Sequence, residues 1–311
     1  MKKYICGLMA LASGMAFSQS ILNATSPEEF RKMRDERREK VADSSVSTRV
    51  EPLKYGFVDQ KDILKSAMVW EIIDLNDKVN QPLYFNEDRL TVNNKSLYQV
   101  LLDAAMDGTI TEIYDEDKFQ TKLSPEGIKK RLEFTRLDEA AIDLMNEENR
   151  NLTPEEIRQY TDTYQATSDK IRMVKLMGMW YIDKRDSQLK YRPLGIAALG
   201  PDPASIAQID PATGKSLGGD ELIDLFWIYY PNAREVLANN IAYNQKNSSS
   251  SVSYDDILNA RRFSSVIYKS DLGLGDGKIE KYIPKNADEQ LEESDRIKGQ
   301  ILQMENDMWN Y

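Results

Sequence analysis

The chain is 311 residues long, carries a formal net charge of −10, and contains no histidine and a single cysteine, Cys6. That composition excludes a Ser-His-Asp triad, imidazole-based zinc sites and an intrachain disulfide framework. An acidic excess of this size repels phosphate backbones and anionic headgroups, so nucleic acid is not expected as a partner.

Residues 1–18 read as a cleaved export signal. Lys2 and Lys3 form a positive start, Tyr4 to Phe17 is apolar, and Ala16-Phe17-Ser18 is a small-x-small site that places cleavage between Ser18 and Gln19. The apolar run is shorter than the roughly 20 residues a membrane span needs, and Cys6 lacks the apolar run that precedes a lipoprotein cysteine. Direct membrane insertion of the mature chain is therefore not expected. Loss of Lys2, Lys3 and Cys6 takes the charge from −10 to −12 and leaves neither cysteine nor histidine.

Residues 19–50 read as an arm and linker outside the core. Ser26-Pro27-Glu28-Glu29 opens a helix with a cap, a first-turn proline and a closing acid. The stretch Phe30–Lys40 that follows is almost wholly charged. It reads either as a solvated arm or as one that orders on an acidic partner, with Phe30, Arg31, Arg34, Arg37 and Arg38 as the contacts. Asp43–Thr48 reads as a linker.

Residues 51–285 read as the core. Ala67–Leu75 and Leu83–Phe85 are expected to form a hairpin through Asn76-Asp77-Lys78. Ser96 caps an amphipathic helix to Met106, ended by Asp107-Gly108, and Thr109–Tyr114 alternates as a strand. Ser124-Pro125-Glu126 and Thr153-Pro154-Glu155-Glu156 start two more helices, so residues 124–165 read as a helical insert. Ile171–Asp183 and Leu189–Leu199 pair as strands across Lys184–Ser187, and Pro201–Gly219 is a loop.

Asp220–Tyr243 carries the longest aromatic run, Leu225-Phe226-Trp227-Ile228-Tyr229-Tyr230. It is expected as a short helix to Leu225, an extended stretch, a turn at Pro231, and a helix over Ala233–Asn239 capped by Asn232 with Glu235; a single helix kinked at Pro231 is the competing parse. Most of the run reads as core, with Trp227 and Tyr230 as the side chains that could instead anchor a partner. Ser253–Phe263 reads as a helix, Ser264–Lys269 as a strand and Lys278–Ile283 as another. Residues 286–311 form an amphipathic helix with a seam through Leu291, Ile297, Ile301, Met304 and Met308. The seam and the terminal Trp309 bury against the chain's own domain or against a neighbouring subunit.

A faint parallel, Trp70 with Ile73-Asp74 against Trp180 with Ile182-Asp183, suggests a duplicated hairpin–helix–strand unit. The fold class is α+β, with antiparallel hairpins packed with helices, a charged N-terminal arm and an amphipathic C-terminal helix.

No motif for chemistry survives scrutiny. Gly273–Lys278 has the wrong glycine spacing for a phosphate loop, and Ile279 stands where Ser or Thr is required. Asp115-Glu116-Asp117 lacks the glycine and terminal Glu of a calcium loop. A two-carboxylate glycosidase is defined by spacing in three dimensions, and no pair stands out. No cofactor, metal or catalytic residue is expected, and the chain does not read as an enzyme. A soluble binding module for peptide or glycan, with exposed Trp and Tyr as its platform, is the second class.

Trp180-Tyr181-Ile182-Asp183, Arg192-Pro193-Leu194-Gly195-Ile196-Ala197 and Phe226-Trp227-Ile228-Tyr229-Tyr230-Pro231-Asn232-Ala233-Arg234 together resemble the GldN (PorN) family. This is a gliding-motility and type IX secretion component of Bacteroidota. Met179 departs from the acidic residue usual before that tryptophan. The resemblance implies a non-enzymatic periplasmic protein that forms a ring with an outer-membrane lipoprotein of the same system. It further implies contact with the periplasmic part of the inner-membrane motor complex. Attachment to the outer membrane would come through the lipoprotein.

Overall fold

A computed structural model describes residues 51–84, 95–137, 153, 155, 159–206, 222–242, 252–272 and 277–309. These belong to one compact unit, Val50–Tyr311. The architecture is α+β.

A six-stranded antiparallel sheet organises the unit. Its strands are β1 (Ile63–Asp74), β2 (Ile113–Tyr114), β5 (Met173–Asp183), β6 (Gln188–Pro201), β7 (Leu222–Tyr229) and β8 (Val266–Ser270), in the order β2-β7-β6-β5-β1-β8. β3 (Glu133–Leu137) and β4 (Thr161–Gln165) form a separate two-stranded ribbon. The helices are α1 (Leu97–Met106), α2 (Pro125–Leu132), α3 (Pro203–Ile206), α4 (Tyr230–Asn239), α5 (Tyr254–Asn259), α6 (Ile279–Tyr282) and α7 (Ala287–Trp309).

β1 shows why the sheet has two unlike faces. Its alternate residues Ala67, Val69, Glu71 and Ile73 are buried, while Met68, Trp70, Ile72 and Asp74 are half-buried. The buried face meets α1, α2, α4 and α5 through Ile73, Leu176, Ile196, Ala198, Phe226 and Ile228, the main apolar cluster. Further along the same face, Ala67, Val69 and Ile267 meet Ile279, Ile297 and Ile301 from α6 and α7. The opposite face carries a smaller cluster of Tyr114, Met177, Ala197 and Trp227.

The β5–β6 hairpin forms as its sequence predicts, with Ile182 opposite Leu189 and Asp183 opposite Gln188. Its register slips where Gly178 faces Pro193 and Leu194 is left over. A proline lacks the ladder donor and belongs at such a bulge. Gly178 leaves room for Tyr191, since a Cβ there would come within 2.4 Å of its Cζ. The start of α1 is likewise as read, with Ser96 accepting from Gln99 N–H at 3.1 Å and Gly108 taking a φ of 75° past its end. Ser124 caps α2 in the same way.

Several expectations are corrected. Leu83 lies in a chain of turns rather than a hairpin strand, and β1 takes β5 and β8 as its neighbours. The turns are fixed by Asn80, fully buried, whose amide donates to Asp74 O at 2.7 Å and Ser264 O at 2.9 Å. Its Oδ1 accepts Ser264 N–H at 2.8 Å. The first copy of the proposed duplicated unit therefore has no hairpin. Of Thr109–Tyr114 only the last two residues are strand.

The stretch before the aromatic run is strand from Leu222, not helix, because both faces of β7 are covered between Leu225 and Ile228. α4 starts directly at Tyr230; Tyr229 stands at its cap position, and Asn232 lies inside the first turn. Lys278–Ile283 turns into a one-turn helix that buries Ile279, rather than a strand. In the insert, Glu133–Leu137 pairs with Thr161–Gln165 as the ribbon, so its described part is mixed rather than helical. The arm, the Thr153 helix interior and the Ser248–Ser251 run lie outside the described residues.

Candidate partner-binding surface

The aromatic run is core. Trp227 is 1% exposed, packed among Tyr114, Met177 and Ala197, and its Nε1 donates to Asp224 Oδ2 at 3.2 Å. Tyr230 is fully buried and its hydroxyl donates to Asp255 Oδ1 at 2.9 Å. Burial, reinforced by that carboxylate, pushes the Tyr230 phenol well above its usual range. Neither side chain is available to a partner. The exposed member of the run is Tyr229, held edge-on to Phe119.

The C-terminal seam is also mostly internal. Ile301 is 4% exposed and packs with Ile297 on the sheet, with Met304 against the same cluster. Met308 is half-buried, Leu291 is exposed, and Trp309 is the last helical residue. α7 also closes the outer edge of β8: the buried Ser294 Oγ accepts Ile267 N–H at 2.9 Å, and Lys298 Nζ donates to Ser265 O at 2.9 Å. An edge strand occupied in this way is not free to pair with another chain. Ser18, Gln19, Phe30, Arg31, Arg34, Arg37 and Arg38 lie outside the described residues.

Sequence reading missed the segment just before β1. Residues 53–57 form a strap pinned by three arginines. Arg234 donates to Leu53 O at 2.7 Å, Arg192 to Gly56 O at 2.9 Å and Arg185 to Phe57 O at 2.9 Å. The Tyr55 ring lies 3.8 Å from the Arg234 guanidinium and 4.7 Å from that of Arg192, and its hydroxyl donates to Asn259 Oδ1. Burial pushes the Tyr55 phenol up to about 12, with Asp255 adding to the shift and the arginines opposing it.

Arg234 is itself clamped by Asp255, through Nε at 3.2 Å and Nη2 at 3.0 Å. Arg192 and Arg234 belong to two of the three family-like stretches, but nothing in their spacing announces a shared target about forty residues apart. The strap leaves Leu53 and Phe57 more than three-quarters exposed, directly after the arm.

The second feature is a cleft of about 770 Å³ on the sheet face opposite the main apolar cluster. Met68, Trp70 and Tyr268 line it from β1 and β8, and Asp115–Lys118 from the loop after β2. Phe119 anchors that loop by lying over Gly195, where a Cβ would come within 2.7 Å of its ring. Interior charges are matched: Lys175 Nζ meets Asp224 at 2.5 Å, Lys269 Nζ meets Asp117 at 2.9 Å, and Arg131 pairs with Asp115. Lys269 Nζ also lies 3.9 Å from the centre of the Trp70 ring. Among the described residues no cluster of His, Cys, Asp or Glu could hold a metal ion, and no helix is long and apolar enough to cross a membrane.

The family profile described as "Gliding motility associated protein GldN" matches residues 58–310, from the end of the strap to the end of α7. No curated protein sequence matches the chain.

Proposed function

Because the chain belongs to the GldN family of gliding-motility and type IX secretion components, we propose that it serves that machinery as a non-enzymatic periplasmic scaffold. In this reading it assembles with an outer-membrane lipoprotein of the same system into a ring containing many copies of itself. It would also touch the periplasmic part of the inner-membrane motor complex. The lipoprotein would hold it at the outer membrane, and the N-terminal leader would direct its export.

The observation that carries the reading is the extent of the family match, which takes in the whole sheet and every helix that covers it. The interior supports it. Buried acids inside are paired with bases, as Glu71 with Arg261, Asp255 with Arg234 and Asp183 with Arg185 and Lys190. Networks satisfied in this way rigidify a fold, and a subunit that transmits load in a ring needs that property. The competing platform for glycans loses its aromatic faces, since Trp227 and Tyr230 are inside.

The test is the native mass of the tagged protein, extracted from its host's membranes in mild detergent. A megadalton particle that contains a lipoprotein and is ring-shaped by electron microscopy is expected. A free monomer, unchanged by crosslinking in cells, would overturn the proposal.

A further inference from the structure

One side of α7 packs on the sheet; the other carries two exposed leucines, Leu291 and Leu302, three helical turns apart on nearly the same line. Gly299 lies between them, exposed, and a Cβ there would meet nothing within 4 Å. Glycine weakens a helix interior relative to alanine but lets a second backbone come close. Asp288, Glu292 and Asp295 share this exposed face. α7 holds seven acids against two bases. Of those bases, Arg296 is spent on Glu293, while Lys298 donates to Ser265 O at 2.9 Å and lies 3.3 Å from Asp295. Counting Lys281 and Lys285 ahead of the helix, residues 281–309 still hold seven acids against four bases.

The sequence of residues 28–41, set at helical spacing, divides by chemistry. Phe30, Met33 and Val41 fall on one side, among Arg31, Arg34, Arg37, Arg38 and Lys40. All five acids of the stretch, from Glu28 to Glu39, fall on the other side with Lys32. A stripe that is apolar along its centre and basic at its flanks fits a face that is apolar and acidic. The spacing fits too. Phe30 and Val41 stand as far apart in sequence as Leu291 and Leu302, about 16 Å along a helix. Laid antiparallel, Phe30 meets Leu302 and Val41 meets Leu291. The same register sets Met33 on Gly299, Arg37 on Asp295 and Lys40 on Glu292. Arg34 falls at Lys298, whose ammonium is already turned onto Ser265 O.

We propose that the exposed face of α7 docks residues 28–41 of a second copy of this chain, as an antiparallel helix in that register. The match of the two stretches is independent of the ring reading above. That the segment comes from a second copy rests on it, because a closed ring joins two different patches of identical subunits.

The test uses full-length protein in its host, with Cys6→Ser removing the chain's single cysteine. Two differently tagged copies are expressed together, one with Met33→Cys and the other with Gly299→Cys. A disulfide between the two tags is expected, and moving the second cysteine to Gln300→Cys, a quarter-turn or more around the helix, should cut its yield at least roughly tenfold. E292K/D295K on the α7 copy should cut it similarly, and R37E/K40E on the other copy should restore it. The proposal is overturned by no disulfide between copies, by equal yield from Gln300→Cys, by a bond only within a chain that carries both cysteines, or by failure of the charge swap to restore the yield. A ring-sized particle without the disulfide would reject this docking and keep the ring. A two-copy particle with it would reject the ring and keep the docking.

Discussion

Glu71 sits in the middle of β1, on the face otherwise given to Ala67, Val69 and Ile73, and is 1% exposed. It is tolerated there because Arg261 forks onto both carboxylate oxygens, at 3.0 and 2.8 Å, with its guanidinium against the rings of Tyr191 at 4.3 Å and Trp180 at 5.0 Å. Removing one partner of such a pair leaves a desolvated charge, so Arg261→Met is expected to cost about 3 kcal/mol in urea unfolding. Replacing both, as in Glu71→Leu with Arg261→Met, should recover most of that loss, and additive losses would show that the pair is not coupled.

Asp183 differs, since its carboxylate accepts Arg185 N–H, Nε and Nη2 at 3.0, 2.9 and 2.7 Å in the β5–β6 turn. The Arg185 side chain and backbone, with Lys190 beyond them, hold its pKa well below the usual carboxylate range. A depressed folded-state pKa contributes stability that is present above the unfolded value near 3.9 and drains away as pH falls toward the folded one. Asp183→Asn should therefore be destabilising at neutral pH and progressively less so below about pH 4. A stability difference that is flat with pH, in urea melts from neutral to acid, would remove the charge from the explanation.

At the scale of elements, β7 and α4 form one continuous unit that buries Leu225 to Ile228 and Tyr230. Trp227→Ala empties a site packed on all sides and should cost about 3–5 kcal/mol, read as a lower melting temperature before any loss of assembly. A normal melt with failed assembly would put that indole at an interface. How legible these elements were follows from how local their causes are. The β5–β6 hairpin and α1 carry their own periodicity, cap and turn residues, and their bounds could be read to within a few positions. β7 misled because the polar sequence from Asp220 to Asp224 resembles a helix start, until β6 is placed beside Leu222 to Asp224. Leu83 misled because Asn80, a loop residue by composition, is bound to Ser264 from the far end of the chain. The strap and the cleft were invisible for the same reason. Their arginines and lysines come from elements that only the sheet order brings together.

The whole molecule divides at the strap. Three arginines from β6, α4 and the β5–β6 turn hold the backbone carbonyls of residues 53, 56 and 57, so the path of the chain into β1 is set by the core itself. Whatever the arm does, its removal upstream of residue 50 takes away none of these bonds and none of the three apolar clusters. A mature chain lacking residues 26–40 should thus melt at the same temperature as the intact protein and give the same circular dichroism. If the arm is the element that reaches a neighbouring subunit, native mass from the host membrane should fall to that of a free protein in the same variant. Loss of thermal stability would place the arm within the fold rather than between copies. Unchanged stability with unchanged mass would leave assembly to surfaces of the core, of which Leu53 and Phe57, fixed in position yet open to solvent, are the first to replace. The distinction matters physically. If the protein assembles as proposed, the pinned strap would start the preceding segment at the same place in every copy, which a closed symmetric ring requires of a repeated contact.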